Sequence, residues 1–358
     1  MLTTIPASAI RRVIVWVNGN RFSQFDLLIW HNVEGTRVNL MKMVVLDGYT
    51  LNPGDNPWDR LYELGELVVY ERSADAEVIS RCQGAEIILT NKVRITEEVI
   101  TNTPSLGMIA VTATGYDCVD TKAASDSNII VCNVPVYGTD SVAQMVFALL
   151  LEMTRQPALH NAAVKEGEWS KQPDWSFWKT PLVELTGKTM GIIGFGRIGR
   201  RVAQLAHAFG MSVLANDIQP HSSPEYQPFA WASVDEIFIQ ADVISLHAFQ
   251  TPDNEGFINR RLLKMMKKSA YLINTSRGGL INETDLTEAL NQNWLAGAAL
   301  DVVSKEPINK DNPLLSAKNI ILTPHISWAT KEARKRLMDT TTENIKAYLA
   351  GHNQNVVT

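Results

Sequence analysis

The chain has 358 residues, of which 45% are hydrophobic and 20% charged, a composition typical of globular proteins that excludes a disordered or low-complexity chain. At about 150 residues per domain, this length predicts two domains with some residues left over. The formal net charge is −5, with 33 Lys and Arg against 38 Asp and Glu, so a nucleic-acid binder with a broad basic surface is not expected.

The sequence indicates neither a membrane span nor a disulfide framework. The longest apolar run, 145–151, is far shorter than the roughly 18 residues that a membrane-spanning helix needs. The three cysteines, Cys82, Cys118 and Cys132, are too few for a disulfide framework and lack the spacing of zinc ligands. We therefore predict a protein of the reducing cytoplasm, with no metal site and no membrane partner.

The first forty residues differ from the rest of the chain. A short apolar stretch, Val13–Val17, follows two arginines, but a secretory signal needs an apolar core of about 7–15 residues. We interpret residues 1–40 as an N-terminal extension of unknown role, either an upstream extension of the reading frame or an appended strand. The first interpretation is favoured because a well-formed strand begins at Met41 or Met43.

From residue 42 onward, short β-branched runs alternate with helical stretches. Strands separated by helices of about 10–15 residues predict a parallel sheet with helices on both faces. The predicted strands of this first series are Met43–Leu46, Leu67–Tyr70, Glu86–Leu89, Met108–Val111 and Ile129–Val131.

A long helix, Thr139–Arg155, and a loop rich in tryptophan and proline, 169–181, separate this series from a second one. Tryptophans in a polar connecting loop usually pack against something, often a second subunit. The second series predicts another doubly wound unit, followed by an amphipathic helix from about Ala329 to Leu349. Its predicted strands are Thr189–Ile193, Ser212–Ala215, Val243–Leu246, Ala270–Asn274, Ala298–Leu300 and Ile320–Leu322.

Residues Gly194–Gly199 form a G-x-G-x-x-G turn directly after a predicted strand and before a helix. In this pattern the first glycine permits a tight turn, the second lets the backbone approach a pyrophosphate, and the third allows close packing of helix and strand. Asp217 lies 23 residues after Gly194, at the end of the next strand. A carboxylate there accepts hydrogen bonds from ribose hydroxyls and repels a 2′-phosphate. No Arg or Lys lies between Asp217 and Pro220 to neutralise such a phosphate, so the sequence predicts NAD rather than NADP.

Ionisable side chains follow three successive strands of the second series. Arg277 follows the first of these strands, Asp301 and Glu306 follow the next, and His325 follows the third. The carboxyl ends of strands in an open parallel sheet face the ligand crevice, so we expect these side chains to converge there.

Together these segments resemble the D-isomer-specific 2-hydroxyacid dehydrogenase family, over residues 41–350. Within the family, residues 89–93, 113–117, 137–144 and Trp328 resemble the glycerate dehydrogenase/hydroxypyruvate reductase branch. The segments that carry the family resemblance are Gly194–Gly199, Asp217, Asn274–Gly279, Asp301, Glu306-Pro307 and Pro324–Trp328.

The resemblance implies an α/β protein with two doubly wound parallel-sheet domains. A Rossmann domain that binds NAD, 141–324, would be inserted into a flavodoxin-like substrate domain made of 41–140 and 325–358. The resemblance also implies a homodimer, with contacts from the helix at 139–155 and the tryptophan-rich loop. No long extension follows Ala350, so the C-terminal regulatory domain of some phosphoglycerate dehydrogenases is not expected.

The chemistry implied by the resemblance is the reduction of a small 2-keto acid to its D-2-hydroxy acid. A hydride moves from the nicotinamide to C2, and a proton moves to the carbonyl oxygen. Arg277 would bind the substrate carboxylate bidentately, which lysine does less well. His325 would be the general acid in reduction and the base in oxidation. Glu306 would bind the other imidazole nitrogen, fixing the tautomer and stabilising the protonated ring.

Further residues are implied as contacts of substrate and cofactor. The backbone of Thr114 and Gly115 would receive the substrate carboxylate, and Asp301 would lie near the nicotinamide. His247 follows a strand and has either a cofactor-facing or a structural role. The full predicted cofactor set is Gly194, Gly196, Arg197, Ile198, Gly199, Asp217, Thr275, Ser276 and Asp301.

The predicted substrate pair is hydroxypyruvate and D-glycerate, with glyoxylate as a further substrate. Two alternatives stay open. One is the same chemistry on another 2-keto acid, such as pyruvate, which a pocket near Asn91, Lys92 and Tyr116 would decide. The other is an NADH-sensing, corepressor-like protein without enzymatic function, because such proteins carry the same motifs.

Overall fold

The computed structural model describes residues 16–17, 20–21, 41–219 and 223–358. Two short strands, β1 (Trp16–Val17) and β2 (Asn20–Arg21), pair antiparallel. The remainder of the predicted extension over 1–40 lies outside the described residues. The chain divides into two compact units: Met1–Tyr137 with Arg334–Thr358, called unit 1, and Gly138–Ala333, called unit 2.

Unit 1 alternates strands and short helices along the chain. Two of these helices begin at polar caps: Thr96 Oγ1 accepts a hydrogen bond from Val99 N, and Asp120 Oδ1 accepts one from Ala123 N. Such side chains satisfy backbone N–H groups that the first turn leaves without a partner. The elements are β3 (Lys42–Val45), α1 (Asp59–Tyr62), β4 (Glu66–Val69), α2 (Asp75–Arg81), β5 (Ile87–Thr90), α3 (Glu97–Thr101), β6 (Met108–Val111), α4 (Thr121–Asp126) and β7 (Ile130–Cys132).

The sheet of unit 1 has the order β4-β3-β5-β6-β7, and all neighbouring strands run parallel. Read from the first strand, this is the flavodoxin-like order 2-1-3-4-5. Because the chain winds outward in both directions from β3 and such crossovers are right-handed, helices cover both faces. The central strands are fully buried, with Ile88 and Ile109 inaccessible to solvent.

Unit 2 also alternates strands and helices along the chain. They are α5 (Thr139–Arg155), α6 (Pro157–Lys165), β8 (Thr189–Ile193), α7 (Arg197–Ala208), β9 (Ser212–Asn216), β10 (Phe229–Trp231), α8 (Val234–Gln240), β11 (Val243–Leu246), α9 (Arg260–Met265), β12 (Tyr271–Asn274), α10 (Glu283–Asn291), β13 (Gly297–Leu300) and β14 (Ile320–Leu322). The last helix of the chain, α11 (Lys331–Leu349), begins in unit 2 and ends in unit 1.

The sheet of unit 2 has the order β10-β9-β8-β11-β12-β13-β14, again with all neighbours parallel. Its first six positions have the Rossmann order 3-2-1-4-5-6, and β14 adds a seventh strand. The order reverses between β8 and β11, where ligands bind in such sheets. The predicted fold class, two doubly wound parallel-sheet units, is confirmed.

The division between the units lies after Tyr137 and again after Ala333, so that His325 belongs to unit 2. Its backbone N donates to Asp301 O at 2.8 Å, which ties this segment to the end of β13. The domain limits at residues 140 and 324 stay predictions.

Candidate active site

The glycine-rich turn of unit 2 has the geometry that its sequence pattern predicts. Gly194 has a φ of +90°, and a Cβ there would lie 2.6 Å from the backbone of His247. A Cβ on Gly199 would lie 2.1 Å from Gly194 O, so helix α7 meets strand β8 too closely for a side chain. At Gly196, by contrast, no described residue beyond its chain neighbours has an atom within 4 Å of such a Cβ. The turn is therefore closed toward the protein and open at Gly196.

The backbone N–H groups in the first turn of α7 receive no hydrogen bond acceptor from the side chain of the N-cap residue. Gly196 is the N-cap and makes no side-chain capping bond, and the exposed Arg197 is the first helical residue. Ile198 is half-buried and packs against the core beneath the helix. An uncapped helix N-terminus beside a basic side chain suits the phosphates of a dinucleotide.

Asp217 lies at the end of β9 and is bound to the glycine turn itself. Its Oδ2 accepts a hydrogen bond from Phe195 N at 2.6 Å, and its Oδ1 accepts one from Gln219 N at 3.2 Å. The carboxylate thus supports the glycine turn, and the contact with a ribose stays a prediction. The sequence indicates the second function only.

Arg277 follows β12 and is held by the buried Asn274, whose supporting role the sequence does not indicate. Asn274 Nδ2 donates to Arg277 O at 2.8 Å, and the guanidinium donates from Nη1 to Ser276 O at 2.9 Å. A Cβ on the next residue, Gly278, would lie 1.9 Å from the carbonyl carbon of Val303. The loop that carries Arg277 is thereby packed directly against the chain segment that leads to Glu306.

The two residues before Arg277 differ in how their hydroxyl groups are used. Ser276 donates from Oγ to Asn274 Oδ1 at 2.9 Å, so this hydroxyl supports the turn. The Thr275 hydroxyl is buried and has no hydrogen-bond partner among the described residues. A buried orphan hydroxyl at a strand end is suited to a ligand that brings its own acceptor or donor.

His325 and Glu306, two of the predicted catalytic residues, are in direct contact. His325 Nδ1 lies 2.6 Å from Glu306 Oε2, and both side chains are partly exposed. A carboxylate only accepts hydrogen bonds, so Nδ1 carries the proton in this pair. Nε2 is then the ring atom that gives or takes a proton.

The backbone of His325 has an unusual conformation, with a φ of +55°. For a residue with a side chain, this left-handed conformation costs roughly 1–2 kcal/mol and persists where its surroundings impose it. Here they do so through Asp301, whose backbone O accepts from His325 N at 2.8 Å.

The side chain of Asp301 is almost fully buried and binds the segment around His325. Its Oδ1 accepts from Thr323 Oγ1 at 2.5 Å and from Ile326 N at 2.9 Å. Its Oδ2 accepts from Ser327 N at 2.7 Å. The sequence predicts a cofactor contact for Asp301, whereas in the structure both carboxylate oxygens hold the loop of the histidine.

A second carboxylate, Glu283 at the start of α10, supports the loop that carries Glu306. Glu283 Oε1 accepts from Ser304 N at 2.7 Å, and Oε2 accepts from Asn312 Nδ2 at 2.8 Å. Sequence reasoning missed this residue, because its partners lie in a loop without a recognisable pattern.

His247 has a structural environment. Its Nε2 lies 2.8 Å from Ser245 Oγ, and burial lowers the pKa of the ring to about 3. The ring is therefore neutral at physiological pH and is not a candidate proton donor.

Thr114 and Gly115 belong to unit 1, after β6. Thr114 Oγ1 donates to Val134 O at 2.8 Å, and Asn133 Nδ2 donates to Thr114 O at 2.7 Å. The neighbouring loop after β5 is held by Asp47, whose carboxylate accepts from the backbone N–H groups of residues 91–93. Side chains thus fix both of the loops that follow the carboxyl ends of β5 and β6.

Within the described residues, no helix is both long and apolar enough to cross a membrane. No group of three or more His, Cys, Asp or Glu side chains in the same part of the chain is arranged to hold a metal ion.

Comparison with known proteins places the chain in a family. The profile of "D-isomer specific 2-hydroxyacid dehydrogenase, NAD binding domain" matches residues 147–327. A hydroxypyruvate reductase of Blautia hydrogenotrophica is 49% identical over 88% of this chain and 99% of its own length. A glycerate dehydrogenase of Methylorubrum extorquens is 38% identical over 88% of this chain and 98% of its own.

Among solved structures, the D-lactate dehydrogenase of Aquifex aeolicus, complexed with NAD and lactic acid, superimposes with a TM-score of 0.74. It is 28% identical, and the match covers 87% of this chain and 96% of that one. The expected family and an NAD-binding domain are therefore both confirmed. The chain belongs to the D-isomer specific 2-hydroxyacid dehydrogenase family.

Proposed function

We propose that the protein interconverts hydroxypyruvate and D-glycerate with NAD(H), and that it also reduces glyoxylate. The observation that carries the proposal is the His325–Glu306 pair, 2.6 Å apart, on loops that follow β14 and β13. Support for the substrate comes from the relatives named a hydroxypyruvate reductase and a glycerate dehydrogenase. In this assignment unit 2 binds the cofactor and unit 1 is the substrate domain.

The cofactor, when bound, supplies or accepts the hydride. The open backbone at Gly196 and the uncapped start of α7 fit its pyrophosphate, and Asp217 fits its ribose. The orphan hydroxyl of Thr275 is a further polar group at the strand ends.

The side chains of unit 2 provide binding and proton transfer. Arg277 binds the carboxylate of the acid through its planar guanidinium. His325 gives a proton from Nε2 to the carbonyl oxygen in reduction and takes it back in oxidation. Glu306 holds Nδ1, which fixes the orientation and the tautomer of the ring.

Steady-state oxidation of NADH against hydroxypyruvate, glyoxylate, pyruvate and a branched 2-keto acid tests the proposal. We expect the highest kcat/KM for hydroxypyruvate, and a higher kcat/KM with NADH than with NADPH, because Asp217 repels a 2′-phosphate. A preference for pyruvate or the branched acid would assign a different substrate, and a preference for NADPH would contradict the role of Asp217.

The variant His325→Gln tests the assignment of His325 as the proton donor. We expect this variant to bind NADH like the wild type while its turnover falls by a factor of 10² or more, since general acid catalysis contributes about that much. Turnover like that of the wild type would refute the role of His325. NADH binding by a wild type that reduces none of the four acids would instead favour an NADH-sensing, non-enzymatic protein.

We also propose that the protein is a homodimer whose contacts include the tryptophan-rich loop after α6. Trp175 and Trp178 expose 88% and 66% of their surface in the single chain. Large aromatic side chains exposed together are typical of protein interfaces. Light scattering after size exclusion should give twice the chain mass, and Trp175→Ser should shift the distribution toward the monomer.

A reducing cytoplasm is the proposed location. Support comes from Cys82, Cys118 and Cys132, which are all free thiols. Burial raises the pKa of each to about 11, so these groups remain protonated and unreactive.

A further inference from the structure

Helix α5 makes a buried hydrogen bond to the segment that carries the predicted proton donor. Ser141, in the first turn of α5, donates from Oγ to Ser327 O at 2.5 Å. Both residues are buried, at 5% and 4% exposure, and they lie 186 positions apart in the sequence. A serine in a helix can bond to its own preceding turn, but this one bonds to a distant loop instead.

The peptide groups around Ser327 are therefore held at two points. The N–H of Ser327 donates to Asp301 Oδ2 at 2.7 Å, while its carbonyl accepts from Ser141. The hydroxyl of Ser327 itself has no partner among the described residues, so its backbone alone fixes this residue. His325 lies two positions earlier, in a left-handed conformation that its surroundings must impose.

We infer that Ser141 is a positioning residue for His325, acting through the carbonyl of Ser327. Without the Ser141 hydroxyl, that buried carbonyl would lose its donor, and the loop would move to find another. The imidazole would then leave its optimal place beside Glu306. The inference rests on the proposed function only in assigning the proton transfer to His325.

The kinetic test compares Ser141→Ala and Ser141→Cys with the wild type. Cysteine nearly preserves the volume but is a weak donor, so both variants should lose activity if the hydrogen bond matters. We expect kcat for the 2-keto acid to fall about tenfold, which corresponds to about 1.4 kcal/mol, with KM for NADH unchanged. The solvent deuterium isotope effect on kcat should increase, because proton transfer from a displaced His325 becomes slower.

Thr154→Val is the matched control on the same helix. Thr154 is also buried, and its Oγ1 donates to Leu150 O at 2.8 Å, away from the histidine loop. We expect this variant to lose stability but to retain the kcat and isotope effect of the wild type. Equal kinetic effects in Thr154→Val and Ser141→Ala would mean general destabilisation and would overturn the inference.

A spectroscopic readout separates the inference from the proposed function. In protein labelled with 13C-histidine, the ring Cε1–H signal of His325 is assigned from its absence in His325→Gln. Ser141→Ala should shift this signal and Thr154→Val should not, whether or not any 2-keto acid is reduced. An unchanged signal and unchanged kcat in Ser141→Ala would show that Ser141 does not position His325.

Discussion

Asp301 links the end of β13 to the loop of His325 through three hydrogen bonds to its carboxylate. A buried carboxylate has lost its water and depends on such donors. The loop and the carboxylate therefore stabilise each other. The conformation of His325 therefore depends on a side chain that need not touch the substrate.

We expect Asp301→Asn to lower both stability and activity. The amide NH2 group replaces one acceptor and leaves a buried backbone N–H without a partner, which costs about 1–3 kcal/mol. The unfolding free energy, measured by urea denaturation, should fall by about that amount, and kcat should fall at least tenfold.

Asp242→Asn is the control for this prediction. Asp242 accepts from Thr189 N at 2.9 Å and pairs with Lys267 at 2.9 Å, away from the histidine loop. This variant should lose stability but keep its kcat. An Asp301→Asn variant with the turnover of the wild type would show that the loop keeps its conformation without the carboxylate.

Sequence reasoning places His325 and Glu306 correctly at strand ends but does not find what supports them. The partners of Asp301 lie 22 to 26 positions later, and Ser141 and Ser327 are 186 positions apart. No local pattern encodes such pairs, because they depend on the sheet order that brings the segments together. The position of Asp217 directly after β9 could be predicted, because its spacing from the glycine turn is set by one β-α-β unit.

At the scale of elements, two glycines at the junction of β8 and α7 have different predicted roles: Gly199 allows close packing, and Gly196 allows a ligand to approach the backbone. Gly199→Ala should destabilise the protein strongly, by about 2 kcal/mol or more, because its Cβ would lie 2.1 Å from Gly194 O. Gly196→Ala should fold with unchanged stability, since its Cβ meets no other residue, but should bind NADH at least tenfold more weakly.

Urea denaturation and titration of NADH fluorescence measure these two properties. Loss of stability in Gly196→Ala, or tight NADH binding by that variant, would contradict the assignment of the open backbone to the pyrophosphate.

Most elements follow from periodicity, and the misses have local causes. The helix Thr139–Arg155 has the predicted bounds. Helix α6 was missed because Gln156-Pro157 indicates a helix end, yet Gln156 is left-handed and proline is favoured in a first turn. Strand β10 was missed because its three residues, Phe229–Trp231, are too few to show alternation and pair only at the sheet edge.

At the scale of the whole molecule, His247 makes the stability of the protein sensitive to acid. Burial lowers the pKa of its ring to about 3, whereas a histidine in an unfolded chain titrates near 6.5. Between these values the unfolded chain binds more protons, so the contribution of His247 is complete above pH about 6.5 and is lost as the pH falls. From pH 7 to pH 5 this loss amounts to about 2 kcal/mol.

Urea denaturation at pH 7 and pH 5 measures this effect. The midpoint of His247→Asn should fall less between the two pH values than that of the wild type. The exposed His352 provides the control, and His352→Asn should behave like the wild type. An equal pH dependence in all three proteins would show that His247 accepts a proton in the folded state.

Because unit 1 is made of two separate chain segments, the order in which the units complete their folding differs from the order in which they are synthesised. Val357 N donates to Val131 O at 2.9 Å, and Asn344 Nδ2 donates to Asn133 O at 2.9 Å. Residues 41–137 leave the ribosome before unit 2, yet the edge beside β7 lacks these partners until residues 334–358 have been synthesised. Unit 2 is continuous and is complete earlier, so the part of the protein encoded first would finish folding last, with its sheet edge open to aggregation in the interval.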